Sequence, residues 1–422
     1  MLSSLRRLPN GLPVLNVPMP GTESATVLVL ANVGSRYESG REHGLSHVLE
    51  HMLFKGTEHW PTARELSQTL DGVGADYNAF TSKDHTGYYV RVASRHLPLA
   101  AEVVADMIWR PKLDGAELAR EKKVICEEIK MYEDNPLMHI GDLLEGTVFQ
   151  GSSLGVNIAG STRSVPALTR VQVAAYHRRH YAPRNLLLVV AGKLPSGFGR
   201  QLARAFGVHR AGRSGTFTPF RPRQAAPRVT IQTKGTQQVQ LALGFPAYGY
   251  RHRNLLALEL LATVLGGNMS SRLFLRLRER EGLCYSISAS ADQYAGTGIF
   301  AVQAGLDRTR LPHAIRLIRE ELGRAVRETV EEGELRKAKE YLKGKLTLAL
   351  ENSSARASWA ARQFLFDRSR QTQAEFLARL DRVRPAAVQR AALDVLVPKR
   401  ASLALIGPFR EPGPWRNLLL ER

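Results

Sequence analysis

GLSHVLEHMLF, residues 44–54, is the stretch on which the interpretation of this chain depends. Its apolar residues recur at helical spacing and form one stripe of an amphipathic helix, and they are Leu45, Val48, Leu49, Met52 and Leu53. His47, Glu50 and His51 are spaced i, i+3 and i+4, so they share an arc on the side away from that stripe. Two imidazoles one turn apart can reach the same metal ion, and a carboxylate between them can move a proton beside it. The stretch therefore predicts a helix that supplies two metal ligands and a general base.

The motif needs a third metal ligand, and a helical pattern at residues 114–133 offers several acidic side chains and a cysteine. Glu121 and Glu128 are seven residues apart, so they lie within about 20° of each other around that helix. They share a stripe with several apolar residues, namely Leu118, Val124, Ile125, Ile129 and Tyr132. Cys126 and Glu127 point elsewhere. Because carboxylates at core-facing positions are costly unless they are hydrogen-bonded or bind a metal, we predict ligation by Glu128.

The length of 422 residues exceeds what one hydrophobic core usually serves, so we expect at least two domains. Residues 196–228 lose apolar periodicity and are rich in Gly, Pro, Ser and Arg, which predicts a linker between domains at 1–195 and 229–422. Both halves show similar orders of strand and helix patterns. The patterns are strands at 25–33 and 86–93 with helices from 45 and at 63–70, then strands at 229–244, 285–291 and 298–304 with a helix at 253–265. We therefore expect an α+β fold of two related α/β units.

Composition and charge narrow the function classes. No window of 18 uncharged apolar residues is present, and residues 1–15 lack the continuous apolar stretch of a signal peptide. Two cysteines are too few for a disulfide framework, which fits a reducing compartment such as the cytoplasm. The net charge of +20 lies almost wholly in residues 195–422, where 38 basic residues face 19 acidic ones. Because these charges alternate in sign along helical patterns and no recognition motif accompanies them, we expect neither a nucleic-acid nor a membrane partner.

A further signal comes from four stretches, GLSHVLEHMLFKGT, NAFTSKDHTGYY, EKKVICEEIKMYEDNP and GGNMSSRLFLRLREREGLCYSISA. Together they resemble the pitrilysin, insulinase and mitochondrial processing peptidase family of inverted-motif zinc metallopeptidases. The resemblance extends nearly from end to end and is that of a short bacterial-type member, with a mixed, mainly antiparallel sheet flanked by helices in each unit. It implies one Zn²⁺ per chain, Glu128 as the third ligand and Glu121 as its support. It also matches Arg278 and Tyr285 to the family's C-terminal Arg and Tyr.

The resemblance implies an endopeptidase acting on unfolded peptides or oligopeptides. Zn²⁺ held by His47, His51 and Glu128 would keep a fourth position for water, and Glu50 would take the proton of that water. By family likeness Tyr285 stabilises the oxyanion. DYNAFTS, residues 76–82, resembles the family's edge strand, to which a substrate adds as a further strand through main-chain hydrogen bonds. The predicted substrate-binding residues are Asn78, Ala79, Phe80 and Thr81.

The resemblance also implies assembly. Members of this length supply two of the four units that enclose a chamber, so we expect a homodimer, or a heterodimer with a related subunit. In the homodimer, Arg278 and Tyr285 of one chain would serve the zinc site of the other.

Three other interpretations remain. A catalytically silent scaffold or processing-complex subunit of the same family usually lacks part of the motif, which is complete here. An S-ribosylhomocysteine lyase type of enzyme would use a cysteine ligand, but Cys126 lies about 160° from Glu128 around the helix. The chain is also more than twice as long as an enzyme of that type. A basic nucleic-acid-binding protein would use the positive second half and would bind with strong salt dependence.

Overall fold

The computed structural model describes residues 3–207 and 215–420 of the chain. Its strands are β1 (Ser4–Arg7), β2 (Pro13–Pro18), β3 (Ser24–Ala31), β4 (Asp76–Thr81), β5 (Thr86–Ala93), β6 (Leu186–Gly192), β7 (Arg228–Thr233), β8 (Gln238–Ala247), β9 (Cys284–Tyr294), β10 (Thr297–Asp307) and β11 (Ser402–Gly407). Its helices are α1 (Leu45–Met52), α2 (Ala63–Asp71), α3 (Leu97–Trp109), α4 (Gly115–Asp134), α5 (Pro136–Val148), α6 (Ser164–Ala167), α7 (Arg170–His180), α8 (Phe198–Phe206), α9 (Leu255–Gly266), α10 (Leu311–Arg327), α11 (Glu332–Ala349), α12 (Ser353–Arg362), α13 (Gln373–Asp381), α14 (Pro385–Val395) and α15 (Gly413–Leu420). Two π-helical segments are Phe274–Arg280 and Gln363–Asp367.

The strands form two sheets with the same underlying order. The first sheet runs β1-β2-β6-β3-β5-β4 and the second runs β7-β11-β8-β10-β9. Each sheet contains one parallel pair, β2 with β6 and β7 with β11, and its other pairs are antiparallel. Without the added β1, the two orders match strand for strand. The predicted fold class, two related α/β units with mixed, mainly antiparallel sheets flanked by helices, is confirmed.

The chain divides into two compact units that are not contiguous in sequence. Unit 1 takes its described residues from 1–129, 156–218 and 346–373, and unit 2 takes its own from 130–155, 219–345 and 374–422. Helix α5 belongs to unit 2, where Ile140 and Leu144 pack against Ala242 and Ile406 of the sheet. Helix α12 belongs to unit 1, where it covers β3 and β6. The predicted boundaries at 195 and 229 therefore need correction, because each unit is completed by a segment from the opposite half.

The predicted linker also needs correction. Residues 198–206 form α8, whose Phe198, Leu202 and Phe206 are buried at i, i+4 and i+8 in the core of unit 1. Surrounding glycines and arginines mask this stripe in the sequence. Residues 216–227 contain no helix or strand, and residues 208–214 lie outside the described residues. The connecting segment is thus shorter than predicted.

The remaining predicted elements agree closely with the structure, except that one predicted strand is two strands. The single alternating run predicted at 229–244 is two strands, β7 and β8, because residues 234–237 form a turn between them. No helix in the described ranges is both long enough and apolar enough to cross a membrane.

Candidate active site

Contacts at the first turn of α1 fix the helix that carries the motif. The buried carboxylate of Glu38 accepts hydrogen bonds from the backbone N–H of Gly44 at 2.8 Å and of Ser46 at 2.6 Å. The hydroxyl of Ser46 also bonds to the hydroxyl of Tyr176 at 2.8 Å. Gly44 has a φ of +96°, and a Cβ there would lie 2.8 Å from the carbonyl oxygen of Ala159, so this position requires glycine. Glu38 is a functional residue that the helical spacing of the motif does not identify, although its position six residues before Gly44 was an available signal.

The three predicted ligands lie together. His47 Nε2 is 3.8 Å and His51 Nε2 is 3.7 Å from Glu128 Oε2, and one ligand atom from each residue lies within 4.8 Å of the others. Ligand atoms of a tetrahedral zinc site are about 3.3 Å apart, given bond lengths of about 2.0–2.1 Å. The two distances from the imidazoles to Glu128 exceed that spacing by about 0.5 Å. The donor set of two imidazoles and one carboxylate is one that zinc uses in catalytic sites, so the residues fit the metal.

The charge states of the neighbouring groups suit metal binding. Burial and, to a smaller extent, the nearby His51 together lower the pKa of His47 to about 4, so the imidazole is neutral and can donate a lone pair. Burial acts to raise the pKa of Glu121, but hydrogen bonds from Lys55 and His51 hold it below its usual range. Glu121 is therefore an anion that accepts a hydrogen bond.

A relay of side chains orients His51. Its Nδ1 lies 3.0 Å from Glu121 Oε2, while Lys55 Nζ contacts Glu121 Oε1 at 2.8 Å. With Nδ1–H donating to Glu121, Nε2 keeps its lone pair toward Glu128. Support by Glu121 was expected from the resemblance, whereas Lys55 was not predicted, although its position four residues after His51 was a usable signal.

Glu50 lies beside the metal-binding cluster and outside its ligand set. Thr81 Oγ1 donates a hydrogen bond of 2.5 Å to Glu50 Oε2. Burial raises the pKa of Glu50, an effect that the Thr81 bond opposes. The charges of His51 and Glu128 also act on this carboxyl group. Glu50 is thus a candidate proton acceptor that is distinct from the three predicted ligands.

Helix α4 directs Glu128, but neither Cys126 nor Glu127, to the cluster. Glu127 is exposed. The predicted apolar stripe is buried at Leu118, Ile125 and Ile129, whereas Val124 is 51% and Tyr132 36% exposed. The prediction was wrong for these two residues because each lies four positions from Glu128 and so shares its face, which the core does not cover.

Strand β4 is the last strand of the first sheet in the part of the chain that the structure describes. The N–H of Ser82 donates to the carbonyl of His85 at 2.8 Å, in register with the β4–β5 pairing. Because hydrogen-bonded and non-hydrogen-bonded pairs alternate, Ala79 and Thr81 turn their backbone groups to the open edge, whereas Asn78 and Phe80 turn theirs to β5. The Asn78 side chain accepts from the N–H of Ala79 at 2.8 Å.

Arg278 and Tyr285 lie together in unit 2. Arg278 belongs to the π-helical segment Phe274–Arg280, and Tyr285 is on β9, at the edge of the second sheet. The guanidinium carbon of Arg278 is 4.8 Å from the centre of the Phe274 ring and 5.3 Å from that of Tyr285. Tyr285 is 79% exposed, so its hydroxyl is accessible to a ligand.

Comparison with known proteins places this arrangement in a family. A sequence profile described as "Insulinase (Peptidase family M16)" matches residues 14–162, and one described as "Peptidase M16 inactive domain" matches residues 167–342. This chain belongs to peptidase family M16. An uncharacterized zinc protease of Streptomyces coelicolor is 35% identical over 97% of this chain and 91% of its own length. The uncharacterized zinc protease YmxG of Bacillus subtilis is 34% identical over 94% of this chain and 97% of its own length.

Solved structures confirm the fold of this M16 protein. A protease from Helicobacter pylori matches with a TM-score of 0.89 at 23% identity, over 97% of this chain and 100% of that one. An M16 inactive domain from Pseudomonas fluorescens also gives 0.89, at 18% identity over 97% and 99% of the two chains. The metal-binding motif lies within the first profile, and residues 229–422 contain no second pair of histidines at i and i+4.

Proposed function

We propose that this M16 chain is a zinc-dependent endopeptidase that hydrolyses peptide bonds in unfolded peptides or oligopeptides. The observation that carries the proposal is the approach of His47, His51 and Glu128 to one point, with Glu50 beside them and outside the ligand set. The names of the relatives, zinc protease in both cases, agree with this chemistry.

The chain's own residues divide the work of hydrolysis. A zinc ion held by the three ligands would supply a Lewis acid and a bound water of lowered pKa. Glu50 would take the proton of the attacking water and return it to the leaving amine. The raised pKa of Glu50 favours this exchange, because a base that is too weak would not take the proton. Glu121, fixed by Lys55, would hold the His51 ring in its ligating orientation.

The open edge of β4 supports binding of extended substrates. Ala79 and Thr81 offer backbone hydrogen-bonding groups there, and a peptide added as a new strand would use them without regard to its side chains. A folded protein does not present a free extended segment of this kind. The proposed substrates are therefore unfolded chains and oligopeptides.

Assembly and location complete the proposal. We infer a homodimer that encloses the site, in which Arg278 and Tyr285 of one chain bind the reacting carbonyl at the zinc site of the other. The exposed Tyr285 beside Arg278 supports a role for this pair in contacting a ligand. We also propose that the enzyme acts in the cytoplasm, which cell fractionation would test.

The deciding experiment combines metal analysis with a cleavage assay. The purified protein should contain about one zinc per chain and cleave an unstructured peptide, and chelation should abolish cleavage until zinc returns. Zinc binding without cleavage of any unstructured peptide would instead favour the catalytically silent scaffold. Salt-dependent binding of DNA or RNA without hydrolysis would favour the basic nucleic-acid binder.

A further inference from the structure

We propose that Thr81 is a positioning residue that fixes the Glu50 carboxylate from the peptide-binding edge, so that a bound substrate strand and the general base are held by one residue. The inference rests on the proposed function and deepens it. It assigns Thr81 a task beyond main-chain pairing with a substrate.

The contact is specific to the hydroxyl group. Thr81 Oγ1 lies 2.5 Å from Glu50 Oε2, which is the distance of a hydrogen bond to a charged acceptor. A carboxylate has no donor, so Thr81 must donate. Glu50 is partly buried, and a single strong hydrogen bond in such surroundings restricts rotation of its carboxylate.

The segment after Thr81 is firmly held, which gives this hydrogen bond a fixed origin. Asp84 forms a buried ion pair with Arg36 at 2.6 Å, and Lys83 Nζ donates to the carbonyl of Val156 at 2.6 Å. Backbone bonds from Ser35 to the carbonyl of Ser82 and from Arg36 to that of Lys83 add to this anchoring. The β4–β5 turn therefore holds Thr81 in place.

The same residue faces the substrate. The side chain of Thr81 points to Glu50, while its backbone N–H and C=O turn to the open edge of β4. A peptide strand paired with that edge would hydrogen-bond to Thr81 and further restrict it. Thr81 thereby couples substrate pairing to the orientation of the base, because its backbone N–H and C=O would bond to the substrate while its hydroxyl bonds to Glu50.

Isosteric replacement tests the hydroxyl in the zinc-loaded enzyme. Thr81→Val keeps the shape and the backbone groups, so KM should change less than twofold while kcat falls at least about tenfold, the scale expected when a catalytic group loses its orientation. Thr81→Ser restores the donor and should return kcat to within about threefold of wild type. The matched control is Thr69→Val, which removes a hydroxyl bonded to the carbonyl of Glu65 on α2 and should leave both constants unchanged.

A second measurement does not depend on activity. In the metal-free protein, thermal unfolding of Thr81→Val, Glu50→Ala and the double variant should give midpoint shifts that are clearly non-additive, because either single change already removes the bond. Additive shifts would show that the two side chains do not interact.

The outcomes separate this inference from the proposed function. Suppose that wild type cleaves peptides and Glu50→Gln does not. If Thr81→Val then keeps the wild-type kcat, with or without a higher KM, the positioning role is overturned while the peptidase stands. If Thr81→Ser is as impaired as Thr81→Val, the methyl group matters and the inference also fails. An inactive wild-type protein that binds zinc overturns the peptidase, and with it the catalytic part of the inference, whereas the unfolding cycle still decides whether the contact exists.

Discussion

The two units build the same strand order around helices of very different character. Helix α1 follows β3 in unit 1 and has eight residues, of which five are buried. Helix α9 follows β8 in unit 2 and has twelve residues, of which ten are buried. The polar face of α1 carries His47, Glu50 and His51, whereas α9 is apolar almost throughout. Buried apolar positions therefore specify this architecture, while a few polar positions on one helix supply part of the candidate metal site.

The largest expected effect comes from removing the three predicted ligands in unit 1. We expect loss of bound zinc and of all measurable cleavage in each of His47→Ala, His51→Ala and Glu128→Gln. The reason is that a site of three ligands loses most of its zinc affinity when any one of them is removed. The control is His313→Ala in unit 2, which breaks an exposed contact with Glu281 and should keep both. Metal analysis of the purified variants gives the answer, and full zinc content in His51→Ala would contradict the ligand assignment.

Glu50→Gln should separate catalysis from metal binding. The variant should retain about one zinc per chain yet lose at least ~10² in kcat, since the amide cannot take a proton. Loss of zinc from this variant would mean that Glu50 is a ligand and that the two roles on α1 are wrongly divided.

Tyr285→Phe should show what unit 2 contributes to catalysis. Loss of one oxyanion donor should lower kcat by about 10² with zinc content unchanged. In a homodimer that uses this residue across chains, co-refolding equal amounts of Tyr285→Phe and Glu50→Gln should restore about a quarter of wild-type activity, since half the dimers are mixed and half their sites intact. If the co-refolded mixture shows only the average activity of the two variants, Tyr285 acts within its own chain or the protein is not this dimer.

Lys55→Met should weaken the site without emptying it. Without its cation, Glu121 holds His51 less firmly, and zinc affinity should fall about tenfold. Lys123→Met, an exposed lysine on α4, serves as the control and should bind zinc as wild type does. Competition with a chelator of known affinity measures both, and equal affinities would remove Lys55 from the relay.

The smallest effects should come from the residues next to Glu128. Glu127→Gln and Cys126→Ser should both keep zinc and activity within about twofold, because neither side chain belongs to the cluster. A metal-free Cys126→Ser protein would revive a cysteine ligand, and a metal-free Glu127→Gln protein would reverse the face of α4.

Periodic features were readable from the sequence, and non-local ones were not. The start of α1 and the bounds of β5 follow from local patterns, β4 was expected only from the family resemblance, and helical spacing brought Glu128 into the predicted site. The positions of Lys55 and Glu38 near the motif could draw attention to these residues, but their contacts and the Thr81 hydrogen bond depend on how separate segments meet, which spacing does not encode. The exposure of Val124 shows the same limit, because an apolar residue on a helix face does not reveal whether anything covers that face.

The exchange of segments between the halves bears on how the protein is made. The sheet that carries the metal-binding helix is complete once β6 has been synthesised, but its covering helix α12 begins only at Ser353. During synthesis on the ribosome, the apolar face of β3 and β6 therefore stays uncovered until more than 150 further residues have been added. During that interval the nascent chain exposes an aggregation-prone surface, so we expect the folding of unit 1 to depend on chaperones.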